Sequence, residues 1–313
     1  MKILGLDSLV FGVKDIAACT RCLTDYGLQP VDANSSGGRF EALDGTSIEV
    51  RAAEDPTLPQ PLDTADLLRE TVYGVADSAT LDAIADELRR DRDIRRSDDG
   101  AVRCRDDTGF ALRFQVSVRR RYSAEPELIN SPGAPPHRPV NRLGADPSAR
   151  LMAPRTLSHV VYFVPDFERA EGFYVRRLGF RCTDRFTGVG PFLRPAGSQD
   201  HHTLFLIQTP QRQKGIQHFT FHMGGPTELL QIGARFVHRG YQSFWGPGRH
   251  LFGSNWFWYF ESPFGCHIEY DADMDVHDDS WKARTASLSA DNSQLFLFQF
   301  REKWAPGGLI PEK

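Results

Sequence analysis

His159 in "LSHVVYFV", His218 in "QHFTFHM" and Glu269 in "GCHIEYD" are residues whose types and settings suit a metal ion. Each sits in a short run with the two-residue period of a β-strand, in which residues two apart share a face. His159 then shares its face with Val161 and Phe163, opposite Val160, Tyr162 and Val164. His218 lies beside Thr220 and His222, opposite Phe219, Phe221 and Met223. Glu269 lies beside His267 and Asp271, opposite Cys266, Ile268 and Tyr270. One face of each strand is apolar enough to lie under a helix, and the other carries a metal-capable side chain. Two neutral imidazoles and one carboxylate on one side of an ion leave coordination positions open for other ligands. A single strand histidine is more often a hydrogen-bonded filler than a ligand. His222 and His267 are read as such fillers, and the metal reading rests on the set of three.

These strands belong to a pattern that recurs along the chain. "LDSLVFGV" leads into the helical stretch "KDIAACTRCLTDYGL", and "ETVYGVAD" into "SATLDAIADELRRDRD". "LSHVVYFV" leads into "PDFERAEGFYVRRLGF", and "QHFTFHMGG" into "PTELLQIGARFVHRGY". Glycines close three of the helices, at "YGLQ", "RRLGF" and "HRGY", where a C-cap favours them. Short alternating segments bounded by Gly, Pro, Asp and Ser follow each helix and predict antiparallel strands. The pattern predicts an α+β chain of four βαβββ modules, paired into two domains, each an open barrel around a central cavity. The expected divisions are a first domain over 1–121, a Pro-rich linker over 122–154, a metal-binding domain over 155–275 and a tail over 276–313. The linker has no periodicity and reads as an extended connector. The aromatic tail "LFLFQFREKWAPGGLIP" would be unfavourable if exposed and is expected to pack on the second domain. "CTRC" at 19–22 lies within an amphipathic helix without a second cysteine pair, which favours a structural role for both thiols.

With "DHHTLFL", "GPGRH" and "WFWYFESPFGCHIEYDAD" added to the strand motifs, residues 155–284 resemble the catalytic domain of type I extradiol ring-cleavage dioxygenases. These enzymes belong to the vicinal oxygen chelate, or glyoxalase–bleomycin resistance, superfamily. The first domain resembles the same fold without the ligands. The resemblance implies that His159, His218 and Glu269 hold Fe(II), less often Mn(II), and that O₂ is co-substrate in cleaving an aromatic diol. It also implies catalytic roles for His202 in "DHHTLFL", for His250 in "GPGRH" and for Tyr259. Imidazole suits acid–base work because its pKa is near neutral, and a phenol can orient a catecholate. The residue-level alternatives are a turn-flanking polar pair for His201–His202 and core packing for Tyr259 in "NWFWYF". The family often places an acidic or amide residue shortly after the "GRH" histidine. Here Leu251, Phe252 and Gly253 follow, which points to a larger or more hydrophobic catechol.

Aligning the modules puts Ser8 at the place of His159, Glu70 at that of His218 and Arg113 at that of Glu269. Ser8 is a poor ligand, and Arg113 cannot ligate because its guanidinium offers only donors. The first domain is therefore expected to be metal-free, with Glu70 and Arg113 paired across the cavity. The remaining composition is that of a soluble globular chain: 313 residues, 40% hydrophobic, 25% charged, net charge −4. That charge argues against nucleic acid as partner. No apolar run is long enough for a membrane span, no signal peptide is evident, and five cysteines suggest no disulfide framework. A cytoplasmic homo-oligomer is expected. Two other readings stay open on the same scaffold: a metal-dependent glyoxalase- or epimerase-type isomerase, and a non-catalytic small-molecule-binding protein.

Overall fold

A computed structural model of the chain describes residues 1–145 and 152–298. The four modules are present and follow one another in order. The first holds β1 (Ile3–Val13), α1 (Ile16–Tyr26), β2 (Gln29–Pro30), β3 (Gly37–Glu41) and β4 (Ser47–Ala52). The second holds β5 (Leu68–Val75), α2 (Ser78–Leu88), β6 (Arg95–Arg96), β7 (Val102–Arg105) and β8 (Ala111–Val116). The third runs through β9 (Thr156–Phe163), α3 (Phe167–Gly172, continued by a π-helical turn), β10 (Arg181–Phe186), β11 (Gly190–Arg194) and β12 (Leu204–Ile207). The fourth comprises β13 (Gly215–His222), α4 (Pro226–His238), β14 (Ser243–His250), β15 (Trp256–Phe260) and β16 (His267–Ala272).

Aspartates at the strand ends start three of the helices: the carboxylates of Asp15, Asp77 and Asp166 accept from the backbone N–H groups of Ala18, Thr80 and Arg169. Gly27 closes α1 at φ +110°, a left-handed conformation that other residues adopt at a cost. In α1 the buried face is Cys19, Cys22, Leu23 and Tyr26. Both thiols of "CTRC" therefore point into the core, where burial pushes their pKa values up to about 12.

The modules pair into two open sheets of eight and ten strands, not closed barrels. In each, the first strands of two modules lie side by side and antiparallel at the centre, β1 with β5 and β9 with β13. The last strand of each module returns parallel to its first. The two halves share one hydrophobic core. Phe11 packs on Phe264 with ring centroids 4.9 Å apart, Phe110 stacks on Tyr162 at 4.0 Å, and Tyr26 stacks on Tyr270 at 4.0 Å.

The connector and the tail run over these sheets. Glu127 accepts from the Thr227 backbone N–H at 3.0 Å, at the start of α4. Strand β17 (Arg284–Ala286) adds to β10 at one edge of the ten-stranded sheet. After α5 (Ala290–Ser293), β18 (Gln294–Leu297) adds to β14 at the other edge. The end of the tail, from residue 299 on, lies outside the described residues.

Candidate metal centre

The register of the central strands brings the three candidate ligands together. Thr220 of β13 lies opposite His159 of β9 on one side and Glu269 of β16 on the other. His218, two residues earlier on β13, points to the same face. All three are buried. His159 Nε2 lies 3.1 Å from Glu269 Oε2 and 3.2 Å from His218 Nε2, and His218 Nε2 lies 3.3 Å from Glu269 Oε2. Ligand bonds of about 2.1 Å space neighbouring donors roughly 3.0–3.4 Å apart around a single ion. Among the described residues, this is the group of metal-capable side chains whose donor atoms converge.

The hydrogen bonds behind the triad prepare the two imidazoles for an ion. Ser158 Oγ donates to Asp271 Oδ2 at 3.1 Å and lies 2.8 Å from His159 Nδ1. Its single proton is thus engaged, so His159 Nδ1 must donate to it. His218 Nδ1 faces the Gln217 Oε1 acceptor and carries its proton there. Both Nε2 atoms are left as bare acceptors aimed at one point, a preset ligand tautomer. Burial lowers the His218 pKa to about 4, which keeps the ring neutral. Thr220 Oγ1 donates to Glu269 Oε2 at 2.5 Å, while Glu269 Oε1 is buried without a hydrogen-bond partner. Converging lone pairs, a buried carboxylate and an orphaned oxygen fit a cation at this point.

Around the triad opens a cavity of about 280 Å³. The structure brings His202, His250 and Tyr259 into its wall. Tyr259 lies opposite Glu269 in the β15–β16 ladder, and its hydroxyl is 3.3 Å from His250 Nε2. Burial and the nearby Glu269 push its pKa well above the ordinary phenol value. The His202 and His159 rings are 4.2 Å apart between centroids. Most of the remaining wall is apolar, with Val161, Phe163, Phe192, Phe205, Phe252 and Trp245 in it. Phe252 packs on Phe186 with centroids 4.9 Å apart, so the departure at "HLFG" does make an aromatic wall.

His222 and His267 stay outside the cavity lining: His222 Nδ1 pairs with Asp271 Oδ1 at 2.6 Å, and His267 stacks on Phe244. The sequence reading missed Asn255, which lines the cavity with neither amide atom partnered. It also missed Leu288 and Ser293, which the tail contributes to the lining. Only the fold brings these residues to the site, although Asn255, just before β15, is in phase with Tyr259 on it and was a usable signal.

The first half places Ser8, Glu70 and Arg113 at equivalent register positions. Ser8 faces Val72 as His159 faces Thr220, and Val72 faces Arg113 as Thr220 faces Glu269. The expected Glu70–Arg113 pair is not formed. Glu70 pairs with Arg103 at 2.9 Å, and Arg113 pairs with Asp99. Arg103 lies directly across from Arg113 in the β7–β8 ladder, so two guanidiniums compete for one carboxylate. Arg103 takes it, and Arg113 turns to the acid beside it.

Residues 156–270 match the Glyoxalase/Bleomycin resistance protein/Dioxygenase superfamily. The chain is 32% identical over 185 residues to Metapyrocatechase 2 of Cupriavidus necator; the match covers 58% of this chain and 56% of that enzyme. It is 28% identical to Biphenyl-2,3-diol 1,2-dioxygenase of Paraburkholderia xenovorans strain LB400, over 92% of this chain and 91% of that one. Among solved structures, the Mn(II)-bound glyoxalase from Novosphingobium aromaticivorans shares the fold at 19% identity, with a TM-score of 0.74 over 94% of this chain and 91% of its own. The repeated modules, their register and these matches lead to one conclusion: the half of the chain that carries the candidate metal centre is similar, through residues 156–270, to the Glyoxalase/Bleomycin resistance protein/Dioxygenase superfamily.

Proposed function

We propose that the chain is an Fe(II)-dependent extradiol dioxygenase that inserts both atoms of O₂ into a catechol carrying an apolar substituent. The observation that carries this reading is the buried convergence of two imidazole Nε2 atoms and one carboxylate on an apolar cavity that also holds His202, His250 and Tyr259. Two histidines and one carboxylate with open positions suit non-haem Fe(II) in oxygen chemistry. The similarity to Metapyrocatechase 2 and to Biphenyl-2,3-diol 1,2-dioxygenase supports dioxygenase chemistry on an aromatic diol. When bound, the ion would supply Lewis acidity and a redox path between an aromatic diol and O₂.

The remaining work falls to this chain's side chains. His159, His218 and Glu269 would hold the ion, and the carboxylate offsets one of its two charges. Tyr259 OH and His250 Nε2 would hold a catechol oxygen between them and share its proton. His202 would accept a proton during oxygen attack and return it as the ring opens. The aromatic walls would hold the substituent and exclude water that could divert reactive intermediates.

An isomerase that moves protons on carbon would want a further carboxylate base, and among the described residues no carboxylate besides Glu269 faces the cavity. Oxygen uptake by protein loaded anaerobically with Fe(II), supplied with 3-substituted catechols, tests the proposal. One O₂ consumed per catechol, with a coloured ring-opened product, is expected. O₂-independent conversion of a thiol adduct, with no oxygen uptake, would replace it by the isomerase reading.

A further inference from the structure

Behind His202 lies a line of polar groups that the proposed chemistry does not use. His201 and Asp184 are both fully buried. Asp184 sits in β10, and Arg284 in β17 of the tail grips its carboxylate. The Arg284 backbone N–H donates to Oδ1 at 2.8 Å, Nε donates to Oδ1 at 3.0 Å, and Nη2 donates to Oδ2 at 2.5 Å. Burial alone would raise the Asp184 pKa, but hydrogen bonds from His201 and Arg284 hold it below the ordinary range. His201 Nε2 lies 2.8 Å from Asp184 Oδ2, and His201 Nδ1 lies 3.0 Å from His202 Nδ1. The backbone here is fixed too: Thr183 Oγ1 donates to the His201 carbonyl at 2.7 Å, and the His201 N–H donates to the Asp275 carbonyl at 2.9 Å. Gly253, at φ +81°, leaves this pair room, since a Cβ there would lie 3.0 Å from His201 Nδ1.

The protons in this line can be placed. An ionised carboxylate only accepts, so His201 Nε2 carries hydrogen. Burial keeps His201 neutral, so its Nδ1 is a bare acceptor. His202 Nδ1 must then donate to it, and His202 Nε2 is left without a proton in the cavity wall. We propose that Asp184 and His201 are positioning residues that hold His202 in its Nδ1–H tautomer, with Nε2 free to act as base. This rests on the dioxygenase reading for its use, but not for its geometry. It extends the orienting logic of a carboxylate behind a catalytic imidazole by one further ring.

Asp184→Asn tests it. The Arg284 backbone N–H donates at the Oδ1 position and holds the amide oxygen there, so the new N–H₂ takes the Oδ2 position, displaces the Arg284 Nη2 donor, faces His201 Nε2 and can only donate. His201 would then carry its proton on Nδ1 and donate it to His202 Nδ1, placing the His202 proton on Nε2. In metal-free protein labelled with ¹⁵N-histidine, and with His202 assigned by its loss in His202→Gln, wild type should show a protonated Nδ1. Asp184→Asn should show a protonated Nε2. In iron-loaded protein the same variant should lose about 10²–10⁴-fold in kcat, with metal content and KM within about twofold of wild type. The same His202 tautomer in both proteins, or an unchanged kcat, would overturn the proposal. If Asp184→Asn does not fold, His201→Leu leaves the Asp184–Arg284 pair in place and removes the acceptor, with Nε2–H again expected. Wild type that cleaves no catechol would defeat the dioxygenase reading, while the tautomer measurement would still decide this one.

Discussion

His159 and His218 point bare Nε2 atoms at Glu269 because Ser158 and Gln217 already hold their Nδ1 protons. The candidate ligand set is thus prepared by neighbours one residue away in sequence, on the same strands. Alanine at His159, His218 or Glu269 should strip most of the metal with little change in circular dichroism, since the apolar strand faces stay buried. Stoichiometric metal retained in all three variants would refute the ligand set. Gln217→Leu removes the acceptor that orients His218, together with a 3.2 Å contact to His267 Nδ1, and should weaken metal binding by about 10–100-fold, read by competition with a chelator. His202→Phe should keep the metal and the affinity for catechol, and slow turnover by about 10²–10⁴-fold. Loss of metal in that variant would instead make His202 a ligand.

At the scale of the element, a turn between β7 and β8 carries a load comparable to that of any helix cap. Asp106 is buried; its Oδ1 accepts from the backbone N–H groups of Thr108, Gly109 and Phe110, and its Oδ2 accepts from Tyr174 OH at 2.9 Å. It ties the second module to the third. Burial, opposed by these hydrogen bonds, pushes its pKa up to about 6 from 3.8. Between those values the folded state holds a proton that the unfolded state has released, so stability falls as pH rises through the window and the cost is complete above about 6. Asp106→Asn keeps an acceptor for the three N–H groups and should flatten this fall in urea titrations compared at several pH values. Asp106→Ala takes this acceptor from the Thr108 and Phe110 N–H groups and the Tyr174 hydroxyl, while the Gly109 N–H keeps the residue-106 carbonyl, and should cost about 2–3 kcal/mol. Equal pH dependence in wild type and Asp106→Asn would show that Asp106 does not titrate in that window.

The whole molecule uses its duplication unequally. Each half has the same strand register, yet in the first half the equivalent positions hold Ser8, Glu70 and Arg113, and the two arginines Arg103 and Arg113 put positive charge where the second half gathers ligands. A dication there would be repelled. Metal analysis of fully loaded protein should give about one tightly bound ion per chain, unchanged in Glu70→Ala. A second tightly bound ion would overturn this account. The first half contributes support instead: Tyr26 of α1 donates to the backbone carbonyl of Glu269, and Tyr270 OH donates to the Tyr26 carbonyl at 2.8 Å. The first half thereby packs directly behind the strand that carries the Glu269 carboxylate.

The repeated modules, the faces of β9, β13 and β16 and the three residues whose donor atoms converge were legible in the sequence. Strand alternation and helix caps are local, and a duplicated pattern repeats the same local rules. The mapping of Ser8, Glu70 and Arg113 onto the ligand positions was legible for the same reason. The partners of Glu70 and Arg113 were not, because ion pairs depend on which side chains a ladder places opposite each other, and Arg103 comes from another strand. The departure at "HLFG" suggested an apolar wall, but its packing on Phe186 and Phe192 required β10 and β11 to lie against the β14–β15 loop. Asp184 and Arg284 are 100 residues apart in the chain, and no periodicity connects them. Sequence by itself determined the modules and which residues could chemically be ligands, since both follow from neighbours along the chain. Tertiary structure decided which nitrogen of each imidazole is free, which charges pair, and what closes the cavity, since each depends on groups brought together only by packing.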